Sequence, residues 1–298
     1  MSGVRTFQGH ALDDDTADAL RAAKGGRTIS ICLPCRDEAA TVGPLASVVR
    51  RELIDRFGIV DELIVLDDRS TDDTERVATH SGARVVSIDD VHARFGGGHG
   101  KGNAMWASLV VSSGDFVIWC DGDVTSFAPD WATKLVRPLL DDDTVALVKA
   151  RYDRPTDHGG GGRTTELVAR PLMSRHYPEL TGLAQPLSGE YAGRRTVLEN
   201  LRFVQGWGVE MGLLIDISRA HGPESIGQVD LGSRLHRHRS LHSLSVQAAE
   251  VMATMLDRAG VVPTSGEAEQ SLMRADGSAV PLNLDHRPTV ASLGEGIR

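Results

Sequence analysis

The sequence predicts an α/β protein, a mostly parallel sheet with helices on both faces. Three observations carry that expectation. Strand-like and helix-like segments alternate through the first half of the chain. The strand-like segments are continuous apolar runs, as strands buried on both faces are. Three of these runs end in acidic clusters, Arg36-Asp37-Glu38, Asp67-Asp68 and Asp121-Gly122-Asp123. In such sheets ligands bind beyond the carboxyl ends of the strands.

Each element has its own signal. Residues 1–26 read as a loosely packed arm with a short helix over Thr16–Ala23. Thr28–Leu33 is a buried strand that Pro34 should stop. Val42, Leu45, Val49 and Leu53 then recur at helical spacing. Glu62–Leu66 is a second strand, followed by a helix over Thr71–His80, and Arg84–Ile88 is a third. A glycine-rich loop, Phe95–Gly102, leads into a helix over Asn103–Val111, and Asp115–Cys120 is the fourth strand. The second half is less regular. It offers a glycine-rich loop at Gly159–Gly162, an extended stretch over Leu187–Gly193, a helix over Gly208–Ala220 and another from Leu241. Residues 262–298 read as a partly ordered tail, and no internal repeat is present.

Composition excludes several function classes. The 298 residues suffice for one large domain or two merged ones. A net charge of -9 leaves no basic surplus for nucleic-acid phosphates. No apolar run approaches the roughly 18–20 residues of a membrane span. The polar N-terminus has no signal-peptide core, so a cytoplasmic protein with no membrane partner is expected. Three cysteines, an odd number, suit a reducing compartment. Cys32 and Cys35 have CxxC spacing, but no second pair exists and Cys120 is distant, so buried or pocket-lining thiols are expected.

The chemistry concentrates in a few places. Asp121-Gly122-Asp123 directly follows a hydrophobic strand, so two carboxylates can reach one hard cation that bridges a diphosphate. A bare triplet of this kind is usually a solvated turn; its placement favours metal. Lys101 stands among glycines that open a helix, where backbone N–H groups can approach phosphate. The loop is neither a P-loop nor a dinucleotide fingerprint. Ser70-Thr71-Asp72-Asp73 can cap a helix, while Asp68 can accept from a base N–H and Glu38 from ribose hydroxyls. Gly162-Arg163-Thr164-Thr165 offers a guanidinium, hydroxyls and backbone donors for an anionic acceptor; otherwise it is a surface loop. A third metal ligand must come from elsewhere, and His236 is favoured within the basic run His236–Arg239. Glu210 opens a helix, either to position a substrate or to complement the helix dipole.

Taken in order, Pro34–Val42, Leu66–Thr74, Gly100-Lys101-Gly102, Asp121-Gly122-Asp123, Gly162–Leu167, Gln185–Tyr191, Gly208-Val209-Glu210 and Arg234-Leu235-His236-Arg237 resemble the glucosyl-3-phosphoglycerate synthase family, from about residue 28 to about residue 258. The resemblance implies a GT-A fold, retaining glycosyl transfer, Mg²⁺ or Mn²⁺, and a homodimer or dimer-based oligomer. It implies a nucleotide-sugar subdomain over 27–150 and an acceptor-binding, metal-completing one over 151–261. The implied donor residues are Pro34, Cys35, Arg36, Glu38, Asp68, Lys101, Asp121, Gly122, Asp123 and, through its carbonyl, Leu187. Asp121, Asp123 and His236 would hold the metal. Gly162, Arg163 and Thr165 would hold the acceptor, and Glu210 would contact the sugar. Glu210, Asp123 and Lys101 would carry catalysis.

The chain departs from that pattern at three points. It has Trp207 where relatives tend to have Tyr, His238 where they tend to have Asn, and Pro-Cys-Arg-Asp-Glu in the first turn. Trp207 and His238 both fall in the implied acceptor site. The lead expectation is transfer from a UDP- or GDP-sugar to 3-phosphoglycerate. The alternative is a secondary-metabolism relative passing a GDP-sugar to a thiol such as ergothioneine. A nucleotidyltransferase would carry a basic glycine loop after the first strand, which is absent. A non-catalytic module fits poorly with Asp121, Asp123 and His236 all intact.

Overall fold

The computed structural model describes residues 3–153, 162–234, 241–261 and 271–294. In chain order its first half comprises β1 (Arg5–Phe7), α1 (Asp14–Lys24), β2 (Ile29–Cys35), α2 (Val42–Val48) running on as π-helical turns to Arg56, β3 (Glu62–Asp67), α3 (Thr74–His80), β4 (Arg84–Ser87), α4 (Ile88–Phe95), α5 (Lys101–Val111) and β5 (Phe116–Trp119). There follow α6 (Pro129–Asp141), β6 (Leu147–Asp153), α7 (Arg170–His176), β7 (Tyr191–Arg194), α8 (Arg195–Leu198), α9 (Val209–His221), β8 (Ile226–Ser233), α10 (Leu241–Arg258), β9 (Ser271–Met273) and β10 (Ala279–Pro281).

Alternate residues of the central strands bury opposite ways, which is why their sequences are continuously apolar. In β2, Ile29, Ile31, Leu33 and Cys35 join one core, and Cys32 joins the other. Phe116 and Ile118 of β5 likewise oppose Val117 and Trp119. Helices α1, α2, α3 and α6 cover the first face; α4, α5, α7, α9 and α10 cover the second. This is the expected α/β sheet.

The strand order is β1-β8-β6-β7-β5-β2-β3-β4. Neighbours are parallel except at β7, which runs antiparallel to both β5 and β6. From β2 the chain proceeds outward to β3 and β4, then returns to place β5 on the other side of β2. The β2–β5 boundary is therefore a switch point, where strand-end turns diverge and leave a crevice. β7 and β8 matter equally. Because β7 is antiparallel, its leading residues reach the rim where β5 ends, and β8, parallel to β6, brings its carboxyl end to that rim too.

Several expectations change. Pro34 does not stop β2, because pairing with β5 ends at Cys32 while pairing with β3 continues to Cys35. Beyond Cys32 the strand is locally an edge, where a missing N–H is tolerated. The N-terminal arm is not loose. β1 extends the sheet beside β8, and α1 is capped by Asp13 with Ala17 and Leu20 buried. A three-residue strand has too little periodicity to be read from sequence. The tail is also built in: β9 and β10 form a hairpin, Val204 bridges to His286, and the Trp106 indole donates to the Pro288 carbonyl at 2.8 Å. β6 crosses the boundary expected at residue 150. Most of the Gly159–Gly162 loop, together with His236 and His238, lies outside the described residues. No described helix is long and apolar enough to cross a membrane.

Candidate active site

The turns after β2 and β3 lock into one another. Asp37 and Arg69 both adopt left-handed backbone, at φ 56° and 58°. Asp is among the few residues that visit this region readily. The Asp37 N–H donates to the Ser70 hydroxyl at 3.0 Å, and the Thr71 N–H donates back to the Asp37 carboxylate at 2.7 Å. Glu38 donates its N–H to the Thr74 hydroxyl at 2.8 Å, and Asp72 accepts from the N–H groups of Ala39 and Thr74. Asp72 thus satisfies the first N–H of α3, while Asp73, the residue before the helix, makes no side-chain cap, and the acidic stretch serves chiefly to shape the crevice. Thr41 donates its hydroxyl to the Gly122 carbonyl at 2.7 Å, tying the turn after β5 to this wall. A β-carbon on Gly122 would fall 2.5 Å from the Cys35 sulfur.

Asp68 sits at the floor of these turns, its N–H donating to the Cys35 carbonyl at 2.9 Å. Its carboxyl is raised by burial, against the lowering effect of Arg36 and Arg69. Among the described residues its Oδ1 is buried with no hydrogen bond; the nearest Arg69 nitrogen is 3.7 Å away. A buried acceptor of this kind calls for a donor, as a base N–H would supply.

Across the crevice lies a cluster of buried charge. Lys101 is the first residue of α5, and its ammonium stands 3.0 Å from Asp121 and 2.6 Å from Glu210. Glu210 is buried in the first turn of α9. Arg234, immediately after β8, places one nitrogen 2.8 Å from Asp121 and 3.6 Å from Asp123, and another 2.8 Å from Glu190. Glu190, just before β7, is 1% exposed. Lys149 of β6 is buried beneath them, donating to the Ser188 carbonyl and lying 4.0 Å from the Tyr191 ring.

Burial alone would lower the pKa of Lys101, but Asp121 and Glu210 outweigh it and hold the ammonium charged. Arg234 is likewise raised against burial, chiefly by Glu190. Burial raises Glu190, with the Arg234 guanidinium opposing it. Lys149 is pushed down to about 7 by burial, despite Glu210.

Asp121 and Asp123 supply hard carboxylate oxygens of the kind Mg²⁺ or Mn²⁺ takes. Among the described residues no group of three or more His, Cys, Asp or Glu side chains is arranged to hold an ion. The expected third ligand, His236, lies outside them. Arg234, two residues upstream, contacts both aspartates. The donor set fits a divalent cation. Gly189 keeps that geometry possible, since a β-carbon there would lie 2.1 Å from Asp121 Oδ1. Gly189→Ala should therefore displace Asp121 and cost about 10²-fold in kcat/KM; a variant as active as the parent would show that Asp121 tolerates displacement.

The three thiols are free and buried. Cys32 is raised to about 12 by burial, and burial lifts Cys35 and Cys120 well above the usual range. Cys32 and Cys35 also belong to cores on opposite faces of the sheet. They are packing thiols rather than a redox pair.

The other expected residues fall around this cluster. Pro34 pairs with Leu66 in β2, and Leu187 packs at the edge of the second core, two residues before Gly189. The Trp207 ring lies 5.8 Å from the Lys101 ammonium. Gly162 holds a left-handed turn at φ 96°, Thr165 is buried and Arg163 is exposed. A β-carbon on Gly162 would lie 4.0 Å from Gln185, which places this turn beside the Gln185–Gly189 segment. Sequence reasoning assigned no role to Glu190, Lys149 or Arg234. Only the position of Arg234 two residues before His236 hinted at one.

The family model for glycosyl transferase family 2 matches residues 30–202. The chain is 47% identical over 260 residues to the glucosyl-3-phosphoglycerate synthase of Mycolicibacterium paratuberculosis, covering 84% of this chain and 78% of that one. It is 43% identical over 236 residues to the enzyme of the same name from Petrotoga mobilis, covering 77% and 73%. The crystal structure of glucosyl-3-phosphoglycerate synthase from Mycobacterium tuberculosis with Mn²⁺, UDP-glucose and phosphoglyceric acid superposes with a TM-score of 0.88 at 43% identity, covering 99% of this chain and 100% of that one. A complex of the same enzyme with Mg²⁺ and UDP superposes at 0.86. With the switch-point crevice, the paired aspartates and these likenesses together, the chain belongs to glycosyl transferase family 2 and, within it, to the glucosyl-3-phosphoglycerate synthases.

Proposed function

We propose that this protein transfers glucose from UDP-glucose to 3-phosphoglycerate in a metal-dependent reaction. The observation that carries the reading is the convergence of Lys101, Asp121, Asp123, Glu210 and Arg234 on one rim of the switch-point crevice. The chain's kinship supports UDP over GDP, since the M. tuberculosis relative is seen with UDP-glucose and phosphoglyceric acid. The turns after β2 and β3 would hold the nucleoside, with Pro34, Cys35, Arg36 and Glu38 along the wall and Asp68 accepting from the base.

Asp121, Asp123 and His236 would hold Mg²⁺ or Mn²⁺, which when bound neutralises charge on the diphosphate. Lys101 would donate to the donor phosphates, its charge secured by Asp121 and Glu210. Glu210 and the Leu187 carbonyl would hold the glucose. Gly162, Arg163 and Thr165 would bind the anionic end of the acceptor, with Trp207 and His238 beside it. The acceptor hydroxyl oxygen would bond to the anomeric carbon as the bond to UDP breaks and its electron pair leaves with UDP. The hydroxyl proton would pass to a donor phosphate oxygen on the same face, retaining configuration. The chain's part is positioning and fixed charge.

Free thiols suit a cytoplasmic enzyme, and a homodimer is the expected assembly, to be checked by light scattering. Initial rates with UDP-glucose and Mn²⁺, using 3-phosphoglycerate beside ergothioneine, test the reading. Turnover of the phosphoglycerate is expected, and turnover of the thiol alone would overturn it. Arg163→Ala should raise acceptor KM by about tenfold or more with donor KM little changed. An unchanged acceptor KM would place the Gly162–Thr165 turn outside the acceptor site.

A further inference from the structure

The C-terminal segment threads between the two loops that present Lys101 and Glu210. Arg287 is 4% exposed, and its guanidinium forks onto three consecutive carbonyls at the start of the glycine loop. It donates to Phe95 at 3.0 Å, Gly96 at 3.0 Å and Gly97 at 2.6 Å, and stacks on Trp106 of α5 at 3.9 Å. Four residues earlier, Asn283 donates its side-chain amide to the His99 carbonyl. The same residue accepts at its carbonyl from the Gly206 N–H at 3.1 Å. Glu250 of α10, 4% exposed, accepts from the N–H groups of Asn283 at 2.8 Å and Trp207 at 2.7 Å. The two loops also meet directly: the N–H groups of Gly102 and Asn103 donate to the carbonyls of Gly206 and Gln205.

We propose that Arg287 and Asn283 are positioning residues of the donor site. By gripping the glycine loop at both ends of its arc, they hold Lys101 at the height where its ammonium meets Asp121 and Glu210. Residues 96–98 are consecutive glycines, and such a loop has no conformational preference of its own. A side chain that satisfies three of its carbonyls at once removes that freedom before the donor arrives, which lowers the ordering cost of binding. The guanidinium is suited to this because its planar donors reach several acceptors in one orientation. Glu250 anchors the brace from the other side, so the segment couples the Lys101 loop to the turn before Glu210.

This inference rests on the reading of Lys101 as a donor contact, and the test separates the two. UDP-glucose affinity is measured by calorimetry with Mn²⁺ on the full chain, for Arg287→Gln, Lys101→Ala and the double variant. Arg287→Gln should weaken donor binding by about tenfold, with the 3-phosphoglycerate KM within about twofold of the parent. In the Lys101→Ala background it should add no further loss, because a residue acting through Lys101 has nothing left to position. Arg287→Lys, which keeps the charge without the fork, should fall between.

Parental donor affinity in Arg287→Gln, alongside weakened Lys101→Ala, would overturn the brace alone. An equal loss in both backgrounds would also overturn it, showing a general structural effect. Parental affinity in Lys101→Ala would sink the reading of Lys101 and the brace with it. Should Arg287→Gln fail to fold, Asn283→Ala decides. It deletes one side-chain bond to the loop and should weaken donor binding by about threefold; no change there would overturn the proposal.

Discussion

Asp123→Ala should reduce turnover by about 10³-fold and remove the Mn²⁺ dependence of UDP-glucose binding. The magnitude follows from the chemistry of the leaving group. A diphosphate departs with charge that must be neutralised where it develops, and Asp123 is one of two carboxylates on the β5 rim able to hold the cation that does so. Its side chain is 14% exposed and stands 3.6 Å from Arg234. Initial-rate kinetics, with calorimetry of donor binding in the presence and absence of Mn²⁺, check this. A variant that remains fully active would remove the metal assignment and, with it, the account of the rim.

Arg234→Met should instead act on the fold. Glu190 is 1% exposed and has Arg234 at 2.8 Å. Deleting one partner of a buried pair leaves an uncompensated charge, at a cost of about 3–5 kcal/mol. Asp121 suffers less, because Lys101 still stands 3.0 Å from it. Urea denaturation of the variant beside Glu190→Gln/Arg234→Met measures the effect, and the double variant should recover much of the loss.

The pH dependence has a definite sign. Burial already raises Glu190, and without the guanidinium opposing it the carboxyl rises further. The folded variant then holds that proton more tightly than the unfolded chain does. Its stability falls as pH rises from the unfolded carboxyl pKa through the folded one, so its deficit should be larger at about pH 8 than at about pH 5. A deficit that is small and flat across that range would mean Glu190 finds another partner.

The two aspartate-bearing strand ends were readable because covalent adjacency does the placing. An apolar run buried on both faces must be a central strand, and whatever follows it must emerge at the rim. Asp68 after β3 and Asp121 with Asp123 after β5 needed no more than that. Lys101 was nearly as clear, since glycines before a helix put the next side chain at its first turn. The boundaries failed where tertiary context overrode a local signal. Pro34 stays in β2 because β5 has already ended, and β1 exists only because β8 offers it an edge.

Chain order and local pattern alone determined the α/β class, the crevice and its acidic rim. Only the tertiary structure decided which cations neutralise that rim. Arg234 meets Asp121 because β8 is parallel to β6, and Glu190 meets Arg234 because β7 runs antiparallel between β6 and β5. The C-terminal segment reaches the glycine loop through contacts spanning some 190 residues of chain. Strand direction and long-range contact are set by how the whole core packs. A charged residue in isolation reads as solvated, and its burial becomes visible only when its partner, brought from far along the chain, is seen beside it.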